Sequence, residues 1–315
     1  MGFVLRWRRG HWRVVLNVAS VVSALGVGTL AVRHFSNTGW PLTGADPRLV
    51  VAAGLLFLAA YALKAYGWQR LFVPQERPSS LTLAAGCGAA SVTGAALPGR
   101  IDDAVRIAVV RRYSGAGVGT LCLSLFMLGL IDTVALMPLA SAAAATSDAS
   151  LAVRVGLGVV AFAGLGAAAV VFLLPRLARS GRLVRFRFVR WLGTRTTAPR
   201  DAWRAGVLVL LSWLVRATGL FILLAALGVG LSFPLAIAFL SAAAASGALP
   251  IAPAGAATQA GAGAAILAAS GIATGEAIAF AIAAQALVIV AGAAVIVFAL
   301  AWGGGRRLVA ARPAA

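Results

Sequence analysis

Long apolar runs separated by short polar segments make up most of this chain. Six of the runs are long enough to cross about 30 Å of hydrocarbon as helices. They cover residues 14–32, 49–66, 117–140, 151–174, 205–228 and 277–301. Two further runs, 81–97 and 234–249, lie at or below the lower limit of spanning length and are diluted by Gly, Ser, Thr and Pro. The pattern predicts six full spans and two segments that do not cross completely.

Composition assigns the class of protein. Of 315 residues, 61% are hydrophobic and 11% are charged, whereas about a quarter of the residues of a soluble domain are charged. The chain is therefore predicted to be an all-α polytopic membrane protein. Lys and Arg number 27 against 8 Asp and Glu, an excess that favours loops facing the anionic cytoplasmic leaflet. No basic motif of a soluble nucleic-acid-binding domain is present, so nucleic acid is not a predicted partner.

The distribution of arginine tests how the runs cross the membrane. If all eight runs crossed, the arginine-rich loop 175–204 would lie outside, against the positive-inside rule. The conflict disappears if 81–112 enters and leaves on the cytoplasmic side and 234–270 does so from outside. We therefore predict two re-entrant helical hairpins, a cytoplasmic loop 175–204, and a multi-pass protein of the plasma membrane with both termini in the cytoplasm.

The predicted elements repeat within a single transmembrane domain, 1–315. The order span, span, hairpin, span occurs in residues 14–140 and again in 151–301. An odd number of full spans in each half makes the second copy inverted. Ala96-Leu97-Pro98 recurs as Ala248-Leu249-Pro250 at the matching hairpin position. Inverted repeats with broken helices are a recurrent plan of transporters.

The first hairpin carries the densest group of charges. Pro98 and the glycine after it are expected at the tip, and Asp102 and Asp103 at the start of the returning helix, where carboxylates complement the positive helix end. One interpretation is a helix cap with a surface salt bridge from Asp103 to Arg106. In the other, Arg100 beside this helix end binds a lipid phosphate. An ordinary loop outside the membrane is a third alternative.

Two further charges lie within predicted spans. Arg216 and Asp132 differ in depth by roughly 6 Å at 1.5 Å rise per residue, a gap that a long arginine side chain could close. We predict that they interact, either as structural glue or as part of a lipid pathway. Gln259 is the main polar side chain of the second hairpin, whose small residues favour close helix packing or, alternatively, a pocket for a polar or acyl group.

No catalytic constellation is predicted. The chain has no P-loop, and its two histidines, His11 and His34, are far apart near span ends, as expected of solvated interfacial residues. Cys87 and Cys122 lie in apolar runs and are expected to behave as small buried residues. We predict a non-enzyme without a metal site or cofactor.

Three motifs carry a resemblance to a known family. They are LPGRIDDAVR at 97–106, LIDTVAL at 130–136, and PAGAATQAGAGAAILAASG ending at Gly271. They resemble the transmembrane region of the lysylphosphatidylglycerol synthase/flippase family, which also occurs as stand-alone membrane proteins. In the first motif, Asp102 and Asp103 replace a glycine and a glutamate of the family pattern.

The resemblance implies a membrane domain that binds or moves anionic phospholipid between leaflets, without the soluble aminoacyl transferase of the family. Membrane phospholipids are the expected partners. The expected lipid-binding residues are Arg100, Asp102, Asp103, Arg106, Asp132, Arg216 and Gln259. The alternative is a non-transporting membrane partner of a separate lipid-modifying or cell-envelope enzyme, with a functional surface on the arginine-rich loop.

Overall fold

The computed structural model describes five stretches of the chain, and the structural statements below refer to them. They are residues 44–96, 101–146, 151–179, 198–248 and 255–310. Within these stretches the chain forms nine α-helices and one 3-10 turn, Pro74–Glu76, and no strand. The predicted all-α class is confirmed for this part of the chain.

The helices are numbered here in chain order. They are α1 Pro47–Gln69, α2 Ser80–Ala96, α3 Ile101–Ser114, α4 Val118–Thr146, α5 Leu151–Arg179, α6 Pro199–Ala226, α7 Phe233–Ala248, α8 Gly255–Ala269 and α9 Thr274–Ala310. Five of them, α1, α4, α5, α6 and α9, are long and apolar enough to cross a membrane. They coincide with five of the six predicted spans, and the chain is a multi-pass membrane protein. The sixth predicted span, 14–32, lies outside the described residues.

Several helices extend beyond the predicted spans. Because an alanine run favours helix, α4 continues to Thr146, into the connection expected between the halves. α5 continues to Arg179, and α6 begins at Pro199, a residue suited to the first helical turn. The stretch between α5 and α6 is therefore shorter than the predicted loop 175–204, and residues 180–197 lie outside the described chain.

The four short helices form two antiparallel pairs. In the first pair, Gly94 of α2 faces Asp102 of α3, and Gly86 faces Val110. In the second pair, α7 packs against α8 with the Phe239 ring in contact with Gly263. The connections 97–100 and 249–254, with both Leu-Pro repeats, lie outside the described residues. The pairing of helices is thus observed, whereas entry and exit through one membrane face stays a prediction.

Each helix pair ends at a glycine in the left-handed region. Gly115 follows α3 with φ 68°, and Gly271 follows α8 with φ 89°. An L side chain is strained in this region, which explains why glycine stands at both positions. Both glycines follow a serine, Ser114 and Ser270.

The crossing of α1 and α6 is reciprocal. Gly67 of α1 packs against Val209 of α6, and Gly219 of α6 packs against Phe57 of α1. The Ser212 hydroxyl of α6 donates a hydrogen bond of 2.9 Å to the carbonyl of Ala60, 152 positions away. The same shift of 152 positions takes Phe57 to Val209 and Gly67 to Gly219. The two helices therefore cross antiparallel. Residues at equivalent positions of α1 and α6 make equivalent contacts with the opposite helix.

Several other helix contacts follow the same exchange. α2 packs on α3 and α9, while α7 packs on α8 and α4. α1 also packs on α2 and α9, and α6 on α7 and α4. Exchanging α1 with α6, α2 with α7, α3 with α8, and α4 with α9 maps these contacts onto one another.

The backbones of α2 and α9 approach each other closely at Gly88 and Gly292. A Cβ at Gly88 would lie 2.5 Å from the Gly292 carbonyl oxygen, closer than any real contact. We predict that Gly88→Ala lowers the free energy of unfolding in detergent by about 1–3 kcal/mol, because two backbones must separate. Thermal unfolding followed by circular dichroism measures the effect.

Gly129→Ala is the matched control. A Cβ at Gly129, within α4, has no atom within 4 Å, and alanine is the better helix former. This variant should unfold at the wild-type temperature or slightly above it. Equal unfolding temperatures for both variants would contradict the tight α2–α9 contact.

Candidate functional site

Three basic side chains point into the helix bundle around two aromatic rings. Lys64 comes from α1, Arg106 from α3 and Arg216 from α6, and the rings belong to Trp68 and Trp213. A charge among apolar helices is costly unless a partner neutralises it or a polar cavity hydrates it. The partner of each cation therefore shows what the interior can do chemically.

Lys64 is neutralised inside the protein. Its Nζ lies 2.9 Å from Oδ2 of Asp132 on α4, and the two side chains are only 18% and 20% exposed. The Trp213 indole donates a hydrogen bond of 3.0 Å to the other carboxylate oxygen. Lys64 Nζ also lies 5.2 Å from the centroid of that indole. Asp132 thus receives a cation from α1 and a hydrogen bond from α6.

The predicted pair of Arg216 and Asp132 is not formed. Trp213 lies between them, because its Nε1 binds the carboxylate while its ring faces the Arg216 guanidinium at 5.4 Å. The flexible side chain of Lys64 takes the carboxylate instead. Similar depth along two spans therefore did not predict contact, because an aromatic side chain fills the space between the charges.

Aromatic rings surround the Arg216 guanidinium in the described part of the chain. Its guanidinium lies 5.5 Å from the ring centroid of Phe57 and 5.7 Å from that of Tyr61, in addition to Trp213. Cation–π contacts of this kind orient a guanidinium and partly offset its desolvation. Its Nε is buried and has no hydrogen-bond partner. Among the described residues, Arg216 has no carboxylate within salt-bridge distance.

A cavity opens beside Arg216 between α1, α6, α7, α8 and α9. It is a small, partly open cavity of about 50 Å³. Its polar lining consists of Arg216, Gln259 and Gln285, and its walls are aromatic and aliphatic, with Phe239 among them. A guanidinium and two amides are hydrogen-bond donors, so this site is suited to an anionic group attached to an apolar body.

The first hairpin holds its own charges close together. Asp102 and Asp103 lie in the first turn of α3, as predicted. Arg106 Nη1 lies 3.3 Å from Oδ1 of Asp103, and its guanidinium lies 6.0 Å from the Trp68 ring centroid. This geometry matches the helix-surface salt bridge. Arg106 is also within electrostatic range of Asp132. Arg100, the proposed phosphate ligand of this hairpin, lies outside the described residues.

The structure brings some predicted residues together and adds three. Arg216 and Gln259 share the cavity, while Asp132 lies beyond Trp213. Lys64, Trp213 and Gln285 were not predicted. Lys64 and Gln285 carried a signal, because each is a polar residue inside a predicted apolar span. Trp213 carried no such signal in the sequence, since a tryptophan in a span is an ordinary core residue.

Breaking the Lys64–Asp132 pair tests its energetic weight. Asp132→Asn keeps an acceptor for Trp213 but leaves Lys64 without a counterion, and we predict a loss of about 1–3 kcal/mol in the free energy of unfolding. Adding Lys64→Met should restore part of that loss, because no unpaired buried charge remains. Denaturation in detergent gives both values.

The exposed pair of Asp201 and Arg204 serves as the control. Their charged atoms are 4.0 Å apart, and their side chains are 31% and 47% exposed. Asp201→Asn should change stability by less than about 0.5 kcal/mol. An Asp132→Asn variant as stable as wild type, or a double variant less stable than the single one, would contradict the role given to the pair.

Comparison with known proteins gives one match. The family model described as "Lysylphosphatidylglycerol synthase TM region" matches residues 14–309. Neither a curated protein nor a solved structure matches the chain.

Proposed function

Because the chain belongs to the lysylphosphatidylglycerol synthase transmembrane-region family, we propose that it binds anionic phospholipid inside the membrane and translocates it between leaflets. Family membership and five apolar spans support a flippase-like membrane protein. The family region is the flippase part and not the catalytic domain. We accordingly propose transport without catalysis.

The observation that carries the proposal is the Arg216 cavity. Arg216 lies within a 28-residue apolar helix, and no carboxylate among the described residues neutralises it. A guanidinium at such a position is stabilised when a phosphate enters the cavity, because the two groups form charge-assisted hydrogen bonds. The apolar walls of the cavity offer contacts for the glycerol and upper acyl chains of a lipid.

An inverted repeat explains how a lipid would reach the cavity from both leaflets. The antiparallel helices α1 and α6 exchange their contacts by a shift of 152 positions. A two-fold axis that exchanges two antiparallel spans lies in the membrane plane, so it also exchanges the leaflets. This reasoning supports the proposal that 14–140 and 151–301 are inverted copies with re-entrant hairpins.

The first hairpin belongs to the proposed lipid path. Arg100 and Arg106 would attract the phosphate at its tip, and Asp102 and Asp103 would limit the positive charge there. Asp132 would hold Lys64 away from the lipid, and Gln259 would donate a hydrogen bond to the head group at Arg216.

A leaflet-resolved assay with reconstituted vesicles tests the proposal. Vesicles containing fluorescently labelled phosphatidylglycerol are treated with a membrane-impermeant reductant that destroys only the outer label. Wild type should equilibrate the label between leaflets. Arg216→Gln should slow this exchange by about tenfold or more, because the phosphate loses a charge-assisted contact.

Arg204→Gln is the matched control, since it removes an exposed arginine from the same helix. It should translocate at the wild-type rate. Equal rates for wild type and Arg216→Gln would remove Arg216 from the mechanism. No exchange by wild type would instead favour the non-transporting partner of a lipid-modifying or cell-envelope enzyme.

Single-cysteine labelling in intact cells tests the topology. With Cys87 and Cys122 replaced by alanine, a cysteine at Ser150 should react with a membrane-impermeant maleimide. A cysteine at Thr194 should react only after the cells are opened, because the arginine-rich loop is proposed to be cytoplasmic. The opposite pattern would rule out the re-entrant hairpins.

A further inference from the structure

The two intraspan cations of α1 and α6 occupy equivalent positions. The shift of 152 positions that relates the contacts of α1 and α6 takes Lys64 to Arg216 and Tyr61 to Trp213. Each of these aromatic residues belongs to the turn before its cation. Trp213 and Tyr61 both contact the Arg216 guanidinium, and Trp213 also contacts Lys64. The interior thus contains two related cation positions around one aromatic cluster.

The helices that face the two cations differ in charge. Lys64 faces α4, which supplies Asp132. Arg216 faces α9, the counterpart of α4, which supplies Gln285 to the cavity. The same shift of 152 positions takes Asp132 to Ala284, which lines the cavity beside Gln285. At this place α9 therefore brings a neutral amide to the cavity and no carboxylate.

We infer that the Lys64–Asp132 pair and the Arg216 cavity are two copies of one ligand site, and that Asp132 fills the first copy with a built-in anion. The second copy, between Arg216, Gln259 and Gln285, then binds an external group with the same chemistry. This inference rests on the proposed function and specifies the site and charge of its ligand.

The first copy shows what the ligand must resemble. Asp132 carries one negative charge, takes one cation at 2.9 Å and accepts one N–H hydrogen bond at 3.0 Å. In the second copy Arg216 supplies the cation, and Gln259 and Gln285 bring amide groups, which can donate hydrogen bonds, to the same cavity. One positive charge with neutral donors fits a monoanion such as a phosphodiester.

The source of that phosphate group can be a lipid head group or a free ion. Phe57, Leu220 and Val288 line the same cavity, and their apolar side chains favour an anion attached to hydrocarbon. Inorganic phosphate carries the same chemistry without the hydrocarbon. The experiment below therefore includes both probes.

An isosteric pair of variants isolates the charge. Gln285→Asp installs the carboxylate of the first copy, whereas Gln285→Asn has the same size without the charge. Binding is measured in neutral detergent micelles by tryptophan fluorescence with phosphatidylglycerol, with phosphatidylcholine as the zwitterionic lipid and with inorganic phosphate. Wild type and Gln285→Asn should bind phosphatidylglycerol, and Gln285→Asp should bind it about tenfold more weakly or worse.

Unfolding without lipid gives a second readout. The carboxylate that Gln285→Asp introduces is neutralised by Arg216, so this variant should unfold at a temperature above that of Gln285→Asn. Adding Arg216→Gln should abolish this gain, since the carboxylate then has no cation. If Gln285→Asp aggregates while Gln285→Asn purifies normally, Arg216 does not accept an anion there and the inference is overturned.

The remaining outcomes are equally distinct. Equal binding of phosphatidylglycerol by the two isosteric variants overturns the inference, as does binding of phosphatidylcholine with the same affinity. Competition by inorganic phosphate at similar concentration identifies the free ion as sufficient, and its absence identifies the lipid. Charge-dependent binding without translocation in vesicles upholds this site and rejects the transport function. Translocation at equal rates in both variants would uphold the transport function and reject this site.

Discussion

Neutralisation of basic side chains inside an apolar helix bundle is the constraint on which this protein depends. Lys64 satisfies it with Asp132, and Arg106 satisfies it with Asp103, each at hydrogen-bonding or salt-bridge distance. Arg216 has aromatic rings around it and a cavity in front of it, but no carboxylate among the described residues. Because an uncompensated interior charge is expensive, Arg216 requires a compensating group that none of the described residues provides.

Small residues make this arrangement possible. Gly67 and Gly219 let α1 and α6 approach closely, and the close approach brings the cations of both helices to the same aromatic cluster. Gly88 and Gly292 do the same for α2 and α9, so the α2–α3 pair is packed closely against α9. In a membrane, where apolar surfaces have no water to escape, such backbone contacts contribute much of the packing energy between helices. The glycine contacts at Gly67 and Gly219, one helical turn after Lys64 and Arg216, therefore help to set the positions of these two charges.

Hydropathy predicted the spans because crossing hydrocarbon requires a long apolar run whatever the tertiary structure. The position of the two aspartates at the start of α3 was predicted from a local rule, because carboxylates complement the positive end of a helix. The partner of Asp132 could not be predicted in this way. Contact between spans depends on crossing angle and on which side chain fills the gap, and here the Trp213 indole separates Asp132 from Arg216. Lys64 needed no tertiary information to be suspected, because a lone lysine in an apolar run is itself a signal.

An inverted repeat with two identical anion sites would present the same affinity to ligand from either leaflet, and a lipid bound to both would be held at the centre. In the proposed arrangement, the carboxylate of Asp132 would remove that second binding position. The ligand would then meet one cation, Arg216, while Trp213 contacts both this cation and the Asp132 carboxylate. One ion pair with the ligand would compensate the charge of Arg216, whose guanidinium is oriented by aromatic rings. It would hold the ligand less tightly than a network of charges would. Weak, single-charge binding near the centre of the fold is what a transporter requires, because a lipid that enters must also be able to leave.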